Sequence, residues 1–219
     1  MNADLSIYLV TDSRLAAAAG HDLVDLVAAA ADADAGVTAV QVREKDASAL
    51  EFLSTVVRLA DRLPERVALL VNDRVDVFLA ARAAGARLAG VHVGQADLPV
   101  EAVRELIGPD AILGLSASTV GQLRAAAEHP SRVDYVGIGA LHPTTTKTDA
   151  PAALGHDEFA RLVAASALPA VGIGGVAEAD LPRMRAAGAA GAAVVSAICS
   201  APDPADAARR LRAAWGAES

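Results

Sequence analysis

A chain of 219 residues with 53% hydrophobic and only 3% aromatic side chains can fill one large core, built from Ala, Val, Leu and Ile. The net charge of -8 comes with no basic run that could follow a phosphate backbone, and the few aromatics offer no base-stacking platform, so a nucleic-acid partner is excluded. The single cysteine, Cys199, rules out an intramolecular disulfide framework, and its apolar run AAVVSAIC makes it a buried small hydrophobe.

The chain begins MNADLSIYLV, with neither a positive region nor a cleavable apolar stretch. Its first strand is expected at Ile7–Thr11, followed by an irregular segment, DSRLAAAAGHD, and a helical pattern, LVDLVAAAADADAG. Further strands are expected at Thr38–Arg43, Ala68–Asp73, Gly90–Gly94, Ile112–Ala117, Tyr135–Gly139, Ala170–Gly174 and Gly191–Ile198. Each is short, apolar and rich in β-branched residues, as strands covered on both faces are. Amphipathic stretches such as ALEFLSTVVRLADRLP and DEFARLVAASALP lie between them, several stopped by Gly or Pro. A second long irregular segment, ALHPTTTKTDAPAALG, follows the sixth strand, and ADAARRLRAAWGAE closes the series. Charges interrupt every Ala-rich run well short of a membrane span, so the expected location is the cytoplasm, with no membrane partner.

Strict β–α alternation means a parallel sheet, either open and doubly wound or closed. Eight units without a break favour a single (β/α)8 barrel domain over residues 1–219, an α/β fold of the TIM type.

Such barrels carry their chemistry at the C-terminal ends of the strands. Unusual polar residues fall at these ends: Gln41-Val42-Arg43-Glu44-Lys45, Asn72-Asp73-Arg74, Gly94-Gln95-Ala96-Asp97, Ser116, Thr144-Thr145-Thr146-Lys147, Gly172-Ile173-Gly174-Gly175 and Val195-Ser196. Of 19 basic residues only Lys45 and Lys147 are lysines, and apart from Asn2 the one asparagine is Asn72. Mg²⁺ is bound through one or two carboxylates together with substrate phosphates, a role Asp73 and Asp97 can fill as a pair. Either aspartate could instead cap the helix that follows it. Arg43, Lys45 and Lys147 can neutralise a diphosphate, Arg as a planar fork and Lys as a point charge. The glycines after the seventh strand let backbone N–H groups approach an anion. Arg74 and Arg104 read as surface groups on helices. His21, His129 and His156 have no evident partner, and His92 reads as a core histidine. No His/Cys cluster has zinc spacing, and neither a Ser-His-Asp nor a Cys-His arrangement can be defended.

VQVREK, LLVNDRVD, GVHVGQADLP, LGLSAS, DYVGIG, PTTTKTD, VGIGG and AVVSAI resemble, in order, the motifs of thiamine-phosphate synthases. The resemblance runs from the second strand to the eighth. It implies a transferase that joins hydroxymethylpyrimidine diphosphate to a (carboxy)thiazole phosphate with Mg²⁺, releasing thiamine phosphate and diphosphate. By position, Gln41, Val42, Arg43, Glu44, Lys45 and Asn72 would hold the pyrimidine diphosphate, and Ser116 and Lys147 would complete that site. Asp73 and Asp97 would bind Mg²⁺. Thr144, Thr145, Thr146, Gly175, Val195 and Ser196 would hold the thiazole phosphate.

Arg43, Lys45, Lys147 and Ser116 would then be the catalytic group. Two departures stand out: Gly139-Ala140-Leu141-His142 replaces the family's Gly-Pro-aromatic run, and Ser118 stands where His is frequent. His142 is expected to fill the aromatic position by packing. Two other readings remain: a thiazole tautomerase of the same barrel kind, and a non-catalytic sensor of thiamine precursors. The paired carboxylates and diphosphate-binding cations favour the synthase. The sequence leaves homo-oligomerisation open.

Overall fold

A computed structural model describes residues 3–32, 34–143 and 152–216. Eight parallel strands close on one another in chain order: β1 Ile7–Val10, β2 Ala39–Val42, β3 Ala68–Asn72, β4 Gly90–Val93, β5 Ile112–Ser116, β6 Tyr135–Ile138, β7 Ala170–Gly172 and β8 Gly191–Val194. β1 pairs with both β2 and β8, which completes the (β/α)8 barrel. Helices α1 Ser13–Ala18, α2 Leu23–Ala30, α3 Ala49–Arg62, α4 Val75–Ala83, α5 Val100–Ile107, α6 Val120–Ala127, α7 Gly155–Ala165, α8 Leu181–Ala186, α9 Ser196–Cys199 and α10 Pro204–Gly216 lie among them.

Two-residue alternation along the strands sorts the core into two layers. Ile7, Leu9, Val40, Val42, Leu69, Val71, Val91, Val93, Leu113 and Leu115 face the helices and form the larger cluster. Tyr8, Val10, Ala39, Leu70, Tyr135, Val171 and Ala193 fill the barrel interior. The same alternation turns Gln41, Asn72, His92 and Ser116 inward at the C-terminal ends of β2 to β5. Interior space is set by small residues: a Cβ on Gly114 would lie 2.3 Å from Cζ of Tyr135.

The helices start where local chemistry tells them to. Asp22 caps α2 by accepting from the N–H groups of Val24 and Asp25, and Ser48 with Glu51 makes a capping box on α3. Among the described residues no helix is long and apolar enough to cross a membrane.

Three sequence expectations need correction. The apolar run after β8 does not continue as strand to Ile198: β8 ends at Val194, and Ser196 opens the short helix α9. The first βα segment is not irregular throughout, because Asp12 caps α1 by accepting from Leu15 N–H. Arg104 is not a surface group. Its guanidinium is largely buried and donates to the carbonyls of Gly108, Ala111, Ser131 and Arg132 and to the Asp134 carboxylate, tying loops at the base of the barrel. Arg74 is partly exposed and makes a two-pronged pair with Asp76. Cys199 is buried as expected, and burial pushes its thiol up to about 11.

Candidate active site

The C-terminal mouth of the barrel holds a cavity lined by Gln41, Arg43, Asn72, Asp73, His92, Asp97, Ser116, Ser118, Gly174 and Val195, with Val10, Gly94, Gly137, Gly139, Ala140 and Ile173. Every strand except β8 lies beside or directly below one of these residues, and Val195 follows β8. Of the residues expected here, Gln41, Arg43, Asn72, Asp73, Asp97, Ser116 and Val195 meet at this one cavity. Val42 does not, because its side chain packs against the helices. Glu44 accepts a hydrogen bond from Ser13 Oγ at 2.7 Å, and burial raises its carboxyl above the usual range. Lys45 is exposed, outside the residues that line the cavity. Gly175 and Ser196 sit exposed just past β7 and β8. Thr144, Thr145, Thr146 and Lys147 lie outside the described residues.

Asp73 takes a left-handed backbone, φ 57°, which Asp and Asn tolerate better than most side chains. The turn is held by Asp73 N–H donating to the His92 carbonyl and by Val75 N–H donating to the Asp73 carbonyl. Asn72 Nδ2 donates to Asp73 Oδ2 at 2.6 Å. Gly94 N–H donates to Asp97 Oδ2 at 2.7 Å, which turns that carboxylate back toward Asp73. Neither aspartate caps a helix: Arg74 precedes α4 and Pro99 precedes α5, each without a side-chain cap bond. Burial, and after it the neighbouring Asp97 carboxylate, raises Asp73 to about 6, against the pull of Asn72 and Arg43. Two oxygen-donor groups held this close in a half-buried cavity suit a hard divalent cation such as Mg²⁺.

Below them runs a continuous chain of hydrogen bonds. Gln41 Nε2 donates to Tyr8 Oη at 2.9 Å, and Tyr8 Oη lies 2.8 Å from Tyr135 Oη. Tyr135 Oη lies 2.8 Å from His92 Nδ1, and His92 Nε2 lies 3.0 Å from Ser116 Oγ. Only the first of these bonds has a fixed direction, with the Gln41 amide nitrogen donating; the hydroxyls and the His92 ring can each donate or accept, so the chain links Gln41 to Ser116 in either sense. Burial keeps both phenols neutral, with Tyr8 pushed up to about 12 and Tyr135 raised well above the usual phenol value.

His92 is therefore a cavity residue and not merely a core one. Tyr8 and Tyr135 had no place in the sequence reading, although both fall at inward positions of their strands. The other histidines also have partners. His21 Nε2 lies 2.9 Å from the Ala201 carbonyl and His129 Nε2 lies 3.5 Å from Glu101. His142 and His156 both reach Asp180.

A family model described as thiamine monophosphate synthase matches residues 7–198. The chain belongs to the thiamine monophosphate synthase family. It is 47% identical over 210 residues to a thiamine-phosphate synthase of Azorhizobium caulinodans, covering 95% of this chain and 94% of that protein. A thiamine-phosphate synthase of Laribacter hongkongensis is 46% identical over 215 residues, covering 97% and 96%. Among solved structures, a thiamine phosphate pyrophosphorylase from Pyrococcus furiosus superimposes with a TM-score of 0.82 at 31% identity, covering 96% of this chain and 95% of that one. A 3-hexulose-6-phosphate synthase shares the barrel, with a TM-score of 0.69 at 18% identity. As a member of the thiamine monophosphate synthase family, the chain is an enzyme of the transferase class.

Proposed function

We propose that this chain condenses hydroxymethylpyrimidine diphosphate with a (carboxy)thiazole phosphate, releasing thiamine phosphate and diphosphate, and CO2 as well where the thiazole carries a carboxylate. The observation that carries this reading is the meeting of Asp73, Asp97 and Arg43 at the cavity mouth, directly above the neutral chain from Gln41 to Ser116. One end of the cavity is charged and suits a metal-bound diphosphate. The other is neutral and hydrogen-bonding, and suits an aminopyrimidine.

The bond to be broken joins the pyrimidine methylene carbon to a diphosphate oxygen. The oxygen leaves with the electron pair, and the electron-rich ring supports the positive carbon until the thiazole nitrogen supplies its lone pair. No proton has to be removed in that step. Asp73 and Asp97 would hold Mg²⁺, which when bound draws charge from the leaving diphosphate. Arg43 lies in the same cavity and offers a planar fork to phosphate oxygens. Lys147 and Lys45 would add point charges. The Ser116 hydroxyl, held in place by His92, would hydrogen-bond the substrate. Thr144 to Thr146, Gly175, Val195 and Ser196 would take the thiazole phosphate. Gly174 and Gly175 both have positive φ, 92° and 69°, a backbone region that glycine enters readily and that lets the chain come close to a ligand.

A thiazole tautomerase would need neither the two facing carboxylates nor a cation beside them, and a passive sensor would not need the carboxylate pair to hold a metal. Isothermal titration with the pyrimidine diphosphate tests the reading. Binding should require Mg²⁺ and weaken at least tenfold in Arg43→Ala. Equal affinity in EDTA would overturn it.

A further inference from the structure

Away from the Asp73–Asp97 pair, three side chains from three separate parts of the chain converge. His142 follows β6, His156 lies in the first turn of α7, and Asp180 precedes α8. Both histidines bring Nε2 to the same oxygen, Asp180 Oδ1, each at 2.9 Å. The imidazoles meet edge to face with centroids 5.5 Å apart. The three donor atoms lie within 4.8 Å of one another. Asp180 is buried, and its second oxygen accepts from Ala177 N–H at 2.8 Å, so the carboxylate is fixed from behind. Burial works against its charge, but the hydrogen bonds from His142, Ala177 and His156 outweigh this and hold the carboxyl below the usual range.

We propose that His142, His156 and Asp180 form a binding site for a divalent transition-metal ion of the zinc class. Two imidazole nitrogens and one carboxylate oxygen are the donor set of an open zinc site, whereas Mg²⁺ prefers oxygen alone. A tetrahedral ion with bonds of about 2.0–2.1 Å holds its ligand atoms roughly 3.3 Å apart. The two 2.9 Å contacts need to open by only a few tenths of an ångström, and the imidazoles to turn toward one another. Each histidine that gives Nε2 to the ion keeps its proton on Nδ1, so both stay neutral. The charge is then one carboxylate against a doubly positive ion. His142 is 37% exposed at its side chain, which leaves an entry path and a side for a fourth, water ligand. Ala177 N–H supplies the outer contact that orients such carboxylates. The three residues stand at positions 142, 156 and 180, so no short spacing announces the site.

The test is equilibrium dialysis of untagged, EDTA-stripped full-length protein against Zn²⁺ in excess Mg²⁺, with visible absorption of the Co²⁺-loaded protein alongside. The wild type should retain one equivalent of Zn²⁺ and show the d–d bands of low-coordinate Co²⁺. His142→Phe and His156→Phe should each weaken retention at least tenfold and remove the bands, while their melts show a folded barrel. Asp73→Asn should keep both signals. Retention by the wild type no greater than by His142→Phe, or loss of the ion in Asp73→Asn instead, would overturn the proposal. The triad would then be a hydrogen-bonded fastening only.

Discussion

Asp73→Asn should stabilise the metal-free protein at neutral pH while removing activity. The folded carboxyl is raised to about 6, above an ordinary carboxylate value of 3.8, because it is half-buried beside Asp97. A raised carboxyl means that the fold binds the proton more tightly than the unfolded chain does. Wild-type stability is therefore highest below the unfolded value and falls as pH rises through the window from about 4 to 6. Above that window the ionised group costs the fold a full shift of ~3 kcal/mol at most, at ~1.4 kcal/mol per unit, and ~1–2 kcal/mol once solvent screening is allowed for.

Asparagine removes the charge, still accepts from Asn72 Nδ2, and tolerates the 57° φ. In EDTA at pH 7.5 the variant should melt above wild type by ~2–8 °C, from ~2–4 °C per kcal/mol for a chain of this size. The gap should close as pH falls below 4. Added Mg²⁺ should raise the melt of wild type and not of the variant. The check is a set of melts at several pH values with and without Mg²⁺. A variant that melts below wild type at pH 7.5 in EDTA would refute the reasoning, since Asp73 would then be a structural partner and not half of a cation site.

Tyr135→Phe removes the hydrogen-bond partner of both His92 Nδ1 and Tyr8, and should cost ~1–3 kcal/mol in a denaturant melt and lower turnover by disordering Ser116. Gly114→Ala places a Cβ against the Tyr135 ring, and the overpacking should cost ~1–3 kcal/mol or more by the same measurement. Arg104→Ala strips the donors from four loop carbonyls and Asp134, and should cost ~2–4 kcal/mol with little change in KM, seen by combining a melt with steady-state kinetics. Lys147→Ala should lower kcat strongly in steady-state kinetics while changing stability by no more than ~0.5 kcal/mol in a thermal melt.

The strands were legible because each is a short β-branched run between amphipathic stretches, and closure followed from their number. The end of β8 was not. AVVSAI reads as continuous strand, yet Val195 turns out of the extended region with φ -118° and ψ -82°, and Ser196 begins a helix. The site's charged half was legible as well. Arg43 and Asp73 stand immediately past their strands and Asp97 four residues past its own, where a barrel leaves side chains free of the core. The neutral half was hidden, because Tyr8, Tyr135 and His92 look like core residues in an apolar run. Only the inward parity of their strand positions, shared with Gln41 and Ser116, distinguishes them. Arg104 was misread because helix periodicity reports which way a side chain leaves its helix, and not that five acceptors wait there, three of them from the loop before β6. The His142–His156–Asp180 cluster lay beyond any spacing rule, since barrel closure brings its members together.

The most direct measurement mixes the purified protein with hydroxymethylpyrimidine diphosphate, thiazole phosphate and Mg²⁺ and follows all species by mass spectrometry. Thiamine phosphate and diphosphate should appear in equal amounts, and both should vanish in Asp97→Ala or with EDTA. Diphosphate without thiamine phosphate, or consumption of neither substrate by a folded protein, would contradict the assignment.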